Sequence, residues 1–491
     1  MSQIYLDHAA STPIDLRVAQ AMADCLLDAS LVGNSSSSHQ FGFAAAQKIE
    51  NARLQLAQLI NALPENLVFT SGATESDNLA IFGVAYARSD FGRHIITART
   101  EHKAVLDPFR ALAKEGFLVT WLDTDADGKI NPQQLQAALR PETQLVSIMH
   151  ANNEIGVLQD IAALAALCRG KGLLFHCDAA QSVGKVAVDV QAMSVDLLSI
   201  SAHKIYGPKG IGALYVAPHA RAWINPLILG GGQERGLRSG TLATHQILGF
   251  GMAAQIAQQE LVADAKHTGQ LAAYLKNLLK GISGLYFNGA TQMTLPALLS
   301  ISVEGVEGES LMAALPQLAL SSGAACDSAV LEPSYVLRAL GLPPELAQST
   351  LRISLGRQNT KREIEITAAQ IGIAVQSLRA RDLPGAPLGE GWHLGEAGSL
   401  SMGTRVRCYL RISAQYVRDV QFRIFGCPHT IAVAEQVRSV WVGQNFTTAL
   451  ESGVLGKPAQ WAQAANVPTE KLGRLLLIED AMRLATLAAG S

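Results

Sequence analysis

Lys204, in the run Ser201-Ala202-His203-Lys204, follows a short apolar stretch that ends near Ile200. A lysine at a strand end, among small and polar neighbours, can condense with an aldehyde cofactor; it can equally be a plain surface residue. Asp178 closes the apolar run Leu173–Cys177, and Gln181 follows it three residues later. A carboxylate there can keep a pyridinium nitrogen protonated and make the ring an electron sink, or it can cap a helix. The stretch from Thr70 to Asp77 (TSGATESD) passes from strand-like residues through a small-residue turn into a helix. The backbone from Ala73 onward and the Thr74 hydroxyl would then face an anion such as a phosphate. His102 follows the run His94–Ala98, where an imidazole could stack on a flat ring and relay protons. Arg352, in the strand-like Leu351–Leu355, could clamp a carboxylate through bidentate bonds. Asn153 follows Leu145–His150, and a glycine-rich loop ends at Thr241. Cys326 stands just beyond the small-residue stretch Ser321–Ala325, a pliable setting for a thiol that carries a group.

The elements that must position these groups are legible in the hydrophobic pattern. Ala45, Ile49, Ala52, Leu56 and Leu59 recur at helical spacing. The runs His94–Ala98, Leu145–His150, Leu173–Cys177, Leu197–Ile200 and Gly212–Val216 are short, apolar and mostly separated by helical stretches. That alternation predicts an α/β protein with a largely parallel sheet, whose ligands sit at the carboxyl ends of strands.

With 491 residues, two or three domains are expected. Apolar residues make up 48% and charged residues 16%, which excludes disorder. A net charge of −2 without a Lys/Arg run gives no nucleic-acid footprint. No secretory signal or membrane-spanning run is read, so a cytoplasmic setting is expected. Six cysteines without a CxxC pair argue against a disulfide frame or zinc site, and no metal is expected.

Taken in order, the motifs YLDHAAST, VFTSGATESDNLAI, TEHKAVLD, SIMHANNEIGV, HCDAAQSVGK, SAHKIYGPKGIGALYV, GGGQERGLRSGT, SSGAAC and LRISLGR resemble the cysteine desulfurases of the fold-type I pyridoxal phosphate family. The resemblance is greatest to the housekeeping class that feeds iron–sulfur cluster assembly. It implies an aminotransferase-like α/β fold for residues 1–380, with a large domain over about 15–255 and a small α+β domain from 1–14 plus 256–380. It implies a homodimer acting on L-cysteine and handing sulfur to an acceptor such as an iron–sulfur scaffold. Lys204 would carry pyridoxal 5'-phosphate and His102 would stack on it. Asp178 would pair with the pyridine nitrogen and Gln181 with the ring oxygen. Ala73, Thr74, Ser201 and His203 would hold the phosphate, joined by Thr241 from the partner subunit. Asn153 and Arg352 would orient the substrate, and Cys326 would take its sulfur as a persulfide, leaving L-alanine. The thiolate is the nucleophile, and His102 is the expected base that ionises it. A selenocysteine lyase-type elimination is the rival enzyme reading; it needs no acceptor thiol. An assembly adapter with a vestigial enzyme part is the rival of another class.

Residues 381–399, rich in Gly and Pro, read as a linker. Beyond it, Val406–Ile412 and Val420–Ile424 alternate as two paired strands, a helix begins at Pro428, and a last helix carries Leu475, Ile478, Met482 and Ala485 on one face. Residues 400–491 resemble the U-type iron–sulfur scaffolds, most clearly in VQFRIFGCPH. That family's ligand set does not carry over: its first cysteine falls at Gly403, its aspartate at Arg405 and its last His-Cys pair at Gly473-Arg474. Cys427 remains. Before a helix N-terminus it could relay sulfur from Cys326; the alternative is a degenerate docking module.

Overall fold

The computed structural model describes residues 3–322, 333–382, 387, 389–400, 402–446, 448–449 and 454–490. Cys326 lies outside the described residues.

Seven strands form the central sheet, in the order Leu67–Thr70, Gly212–Val216, Leu197–Ser201, Leu174–Asp178, Thr143–Ser147, His94–Ala98 and Leu118–Leu122. Gly212–Val216 runs antiparallel to both neighbours, and the other pairings are parallel. The interior strands are buried along their whole length, as a sheet covered on both faces requires. Leu118–Leu122, at the sheet edge, is the exception, half-exposed along most of its length; nothing in its pattern singled it out. Helix Gln40–Leu59 turns Ala45, Ile49, Ala52 and Leu56 into the core at the expected spacing.

One helix of 36 residues, Thr244–Leu279, links this unit to a second. Its first half buries Ile247, Phe250 and Ala254 in the large core. Its last turns bury Leu271, Leu275 and Leu279 in a smaller core with Ile4, Leu6, Ile301, Leu351 and Ile371. That core backs an antiparallel sheet ordered Ser321–Ser322, Thr350–Ser354, Leu298–Val303 and Leu285–Phe287. The chain's start joins the small unit through Ile4–Tyr5, paired in parallel with Leu318–Ala319.

A third core is built from Val406, Cys408, Leu410, Val420, Val433, Trp441, Leu475, Ile478 and Met482. Strands Thr404–Ser413 and Tyr416–Phe425 pair antiparallel under helices Pro428–Trp441 and Leu472–Gly490. The expected linker is too long. Its second half, Trp392–Ser399, is a strand paired along its length with Thr404–Ser413. Glycine misled the reading there. Gly395 is a close-approach residue, since a Cβ on it would collide with the Ala481 carbonyl of the covering helix. Gly398 has φ +79 and sits at the hairpin end.

Candidate active site

The carboxyl ends of the central strands open onto a cavity of about 600 Å³. Asp178 is the last residue of its strand, and Lys204 follows three residues after Leu197–Ser201. His102 caps the helix after His94–Ala98, and Ala73 and Thr74 begin the helix after Leu67–Thr70. All of these line the cavity, as do Gln181, Ser201, His203, Asn153 and Arg352. Thr241 is exposed and does not line it. Cys427 lies elsewhere, buried at the N-cap of helix Pro428–Trp441.

Lys204 Nζ donates to the carbonyls of Ala9 and Ala10, the latter at 2.9 Å. Asp178 is 5% exposed and accepts the Ala180 N–H at 2.9 Å. Burial raises its pKa, while that N–H and the nearby His102 and Lys204 oppose the rise. Behind it lie two more buried carboxylates, Asp77 and Glu101, both pushed well up by burial. Burial thus disfavours the charge on all three, and it is Asp178 that has His102 and Lys204 opposing the rise.

His102 opens to the cavity, yet burial among protein groups lowers its pKa. Its Nδ1 accepts the Ala104 N–H at 3.1 Å. The neutral ring therefore carries its proton on Nε2 and can donate from it. The Nδ1 lone pair is thus engaged in the cap of helix Lys103–Lys114.

No side chain caps the helix Ala73–Ala87, so its first N–H groups face the cavity beside Thr74, Ser201 and His203. His203 bonds Ser11 Oγ at 3.2 Å, and burial beside Lys204 holds its pKa near 4. Arg352 is buried, donating to the Asn153 carbonyl at 3.0 Å, to Asp7 at 2.9 Å and to Ser321 at 3.0 Å. Its Nε and the Asn153 Oδ1 are buried without partners. A buried polar atom without a partner is costly, and both residues line the cavity.

These features fit pyridoxal phosphate: a lysine for the aldehyde, a carboxylate for the ring nitrogen, an uncapped helix for the phosphate. Glu154 and Tyr335 also line the cavity, and neither was assigned a role from sequence. Glu154 accepts from Ser334 Oγ at 2.5 Å, and burial raises its pKa to about 7. It stands beside Asn153 in ANNE, the one signal that could have found it. Tyr335, bonded to the Glu101 carbonyl at 2.7 Å, gave none.

The tail's positions of interest meet the small unit. Arg405 pairs with Asp382 at 2.5 Å, Arg474 with Glu307 at 3.8 Å and Lys471 with Glu309 at 2.6 Å. Ser310 Oγ donates to the Gly426 carbonyl at 2.6 Å, and a side chain on Gly403 would press on Gln348. Cys427 is 0% exposed, 3.4 Å from Thr430 Oγ1. Among the described residues, no group of three or more His, Cys, Asp or Glu is placed to hold a metal ion. Nor is any helix long and apolar enough to cross a membrane.

Comparison with known proteins agrees with this division. Residues 4–366 match the aminotransferase class-V family, and residues 386–486 match the NifU-like N-terminal domain. Cysteine desulfurase IscS of Proteus mirabilis is 54% identical over 377 residues, covering 77% of this chain and 93% of that protein. The protein of the same name from Pseudomonas fluorescens is 53% identical over 378 residues, 77% of this chain and 94% of its own. Among solved structures, a NifS-like protein superposes with TM-score 0.71 at 35% identity, covering 76% of this chain and all of its own. DndA from Streptomyces lividans does so with TM-score 0.62 at 40% identity, covering 72% of this chain and 99% of its own. The chain therefore belongs to the class-V aminotransferase family, the pyridoxal phosphate enzymes of this fold, and carries a NifU-like domain after it.

Proposed function

We propose that this chain is a pyridoxal phosphate-dependent cysteine desulfurase, converting L-cysteine to L-alanine and supplying sulfur for iron–sulfur cluster assembly or other thiolation. The observation that carries the reading is the convergence of Lys204, Asp178, His102 and Arg352 on one cavity. When bound, the cofactor supplies an electron sink that lowers the cost of removing the substrate's α-proton. Lys204 would hold it and would move that proton. Asp178 and Gln181 would take the ring nitrogen and ring oxygen, and His102 would stack on the ring. Ala73, Thr74, Ser201 and His203 hold the phosphate. Arg352 and Asn153, with their unpartnered buried atoms, receive the substrate's polar end. Cys326 accepts the sulfur as a persulfide when the carbon–sulfur bond breaks.

A homodimer suits two observations. Leu16, Leu27, Val32 and Phe43 are exposed apolar residues on neighbouring helices and turns. Thr241 is exposed and outside the lining of its own cavity, which suits service at a partner's. Cysteines 25, 168, 177, 408 and 427 are all free thiols, which suits a reducing cytoplasm. The tail is best read as a docked module: its ligand positions are taken up by contacts with the small unit, and Cys427 is closed to an incoming sulfur.

The test is alanine and sulfide release from L-cysteine with a reductant, for wild type and Cys326→Ala. Release that depends on Cys326 supports the desulfurase. Release unaffected by Cys326→Ala means simple elimination, and an inactive, cofactor-loaded wild type rejects the reading.

A further inference from the structure

Gln181 is held from two sides. Its Nε2 donates to the Ala9 carbonyl at 2.8 Å, the same carbonyl that accepts from Lys204. Its Oε1 accepts from Lys185 Nζ at 2.9 Å. The opposite amide orientation would set Oε1 against the Ala9 carbonyl and Nε2 against the Lys185 donor, two repulsive contacts in place of two bonds. Gln181 lines the cofactor cavity, whereas Lys185 lines a separate small cavity of about 40 Å³ with His8, Tyr206 and Asp264. The hydrogen bond of Lys185 to the cavity lining is thus the one to Gln181.

Lys185 is an unusual residue to find there. It is only partly exposed, and its Nζ has Gln181 as its hydrogen-bond partner. Desolvation is the largest influence on it and, with the charges of Lys204 and Arg352, brings its pKa down to about 7. It also presses on His8, lowering that imidazole in turn. Such a lysine costs stability where it stands, and packing alone would be better served by methionine. A lysine donates whether charged or neutral, so its bond to Gln181 persists on both sides of pH 7.

We propose that Lys185 is a positioning residue for the cofactor: it locks the Gln181 amide so that Gln181 presents an N–H, never its oxygen, to the ring oxygen. The inference rests on the pyridoxal phosphate reading above. An N–H on the ring oxygen stabilises that oxygen's negative charge. Without the lock the amide turns over part of the time, and the stabilisation is lost in proportion.

The experiment is a pH titration of the visible absorption of the bound cofactor in wild type, Lys185→Met, Lys185→Arg, Gln181→Leu and the Lys185→Met/Gln181→Leu double variant. Expected is an upward shift of the midpoint by about one pH unit in Lys185→Met, the size set by one charge-assisted hydrogen bond. Lys185→Arg, which still donates, restores most of it. Gln181→Leu shifts at least as far, and the double variant no further, because both changes remove one interaction. An unchanged midpoint in Lys185→Met, or shifts that add in the double variant, overturns the proposal. If Lys185→Met does not fold, Lys185→Leu, which also cannot donate, is read by the same criteria. A wild type that binds no cofactor overturns the function itself, an outcome distinct from a coloured but unresponsive Lys185→Met.

Discussion

The cavity of the large unit and the corresponding face of the tail were both approached through positions where a family's chemistry would fall, and they ended differently. In the large unit, ten of these positions line one cavity, and Arg352 and Asn153 each keep a buried polar atom without a partner. In the tail the positions are also gathered on one face, but Arg405, Arg474 and Cys427 there are paired or buried. The tail keeps its sheet and helices because Val406, Leu410, Val433 and Ile478 still fill its core. A fold needs its core pattern, while a site needs particular groups left unsatisfied. The first can outlast the second.

That contrast can be broken at either end. The largest effect is expected from Lys204→Ala: turnover should fall by at least about 10⁴-fold and the bound cofactor's colour should vanish, read by alanine release and absorption. A variant that keeps turnover would place the chemistry elsewhere. Arg352→Ala should raise KM for L-cysteine by about 100-fold, the worth of a charge-assisted contact, with a smaller change in kcat. Glu154 makes a sharper test of burial. Its pKa, raised to about 7, means the folded state holds a proton that the unfolded state releases near pH 4.5. Stability should therefore fall as pH rises from about 4.5 to 7 and level off above. Glu154→Gln keeps an acceptor for Ser334 and should gain up to about 3 kcal/mol over wild type at pH 8 relative to pH 4, by chemical denaturation.

In the tail the expected effects are small. Glu309→Lys sets two cations together and should loosen docking by about 1 kcal/mol. The readout is faster alkylation of Cys427 at unchanged desulfurase activity, and salt should do the same to wild type. Cys427→Ala should leave turnover and the persulfide on Cys326 unchanged. Loss of a second persulfide in that variant would restore the relay reading and erase the difference between the two regions.

Local sequence carried much of this molecule. The strands His94–Ala98 and Gly212–Val216 and the helix from Pro428 were legible because their patterns arise within a few residues. So were Lys204, Asp178 and Thr74, since each follows a strand whose end faces the ligand side of an α/β sheet. The strand Trp392–Ser399 was not, because its glycines answer to a helix some 90 residues later in the chain. Tyr335 and Lys185 were also missed, since each reaches the site only through contacts made by folding.

The amino-acid sequence by itself determined which groups this protein has for chemistry and which strands and helices carry them. Tertiary structure alone decided what those groups can do. It set the protonated nitrogen of His102, the neutral state favoured by Asp77 and Glu101, and the closure of Cys427 against the small unit. The reason is physical. Pattern and propensity act between neighbours in the chain, whereas desolvation, charge and hydrogen bonding act between neighbours in space.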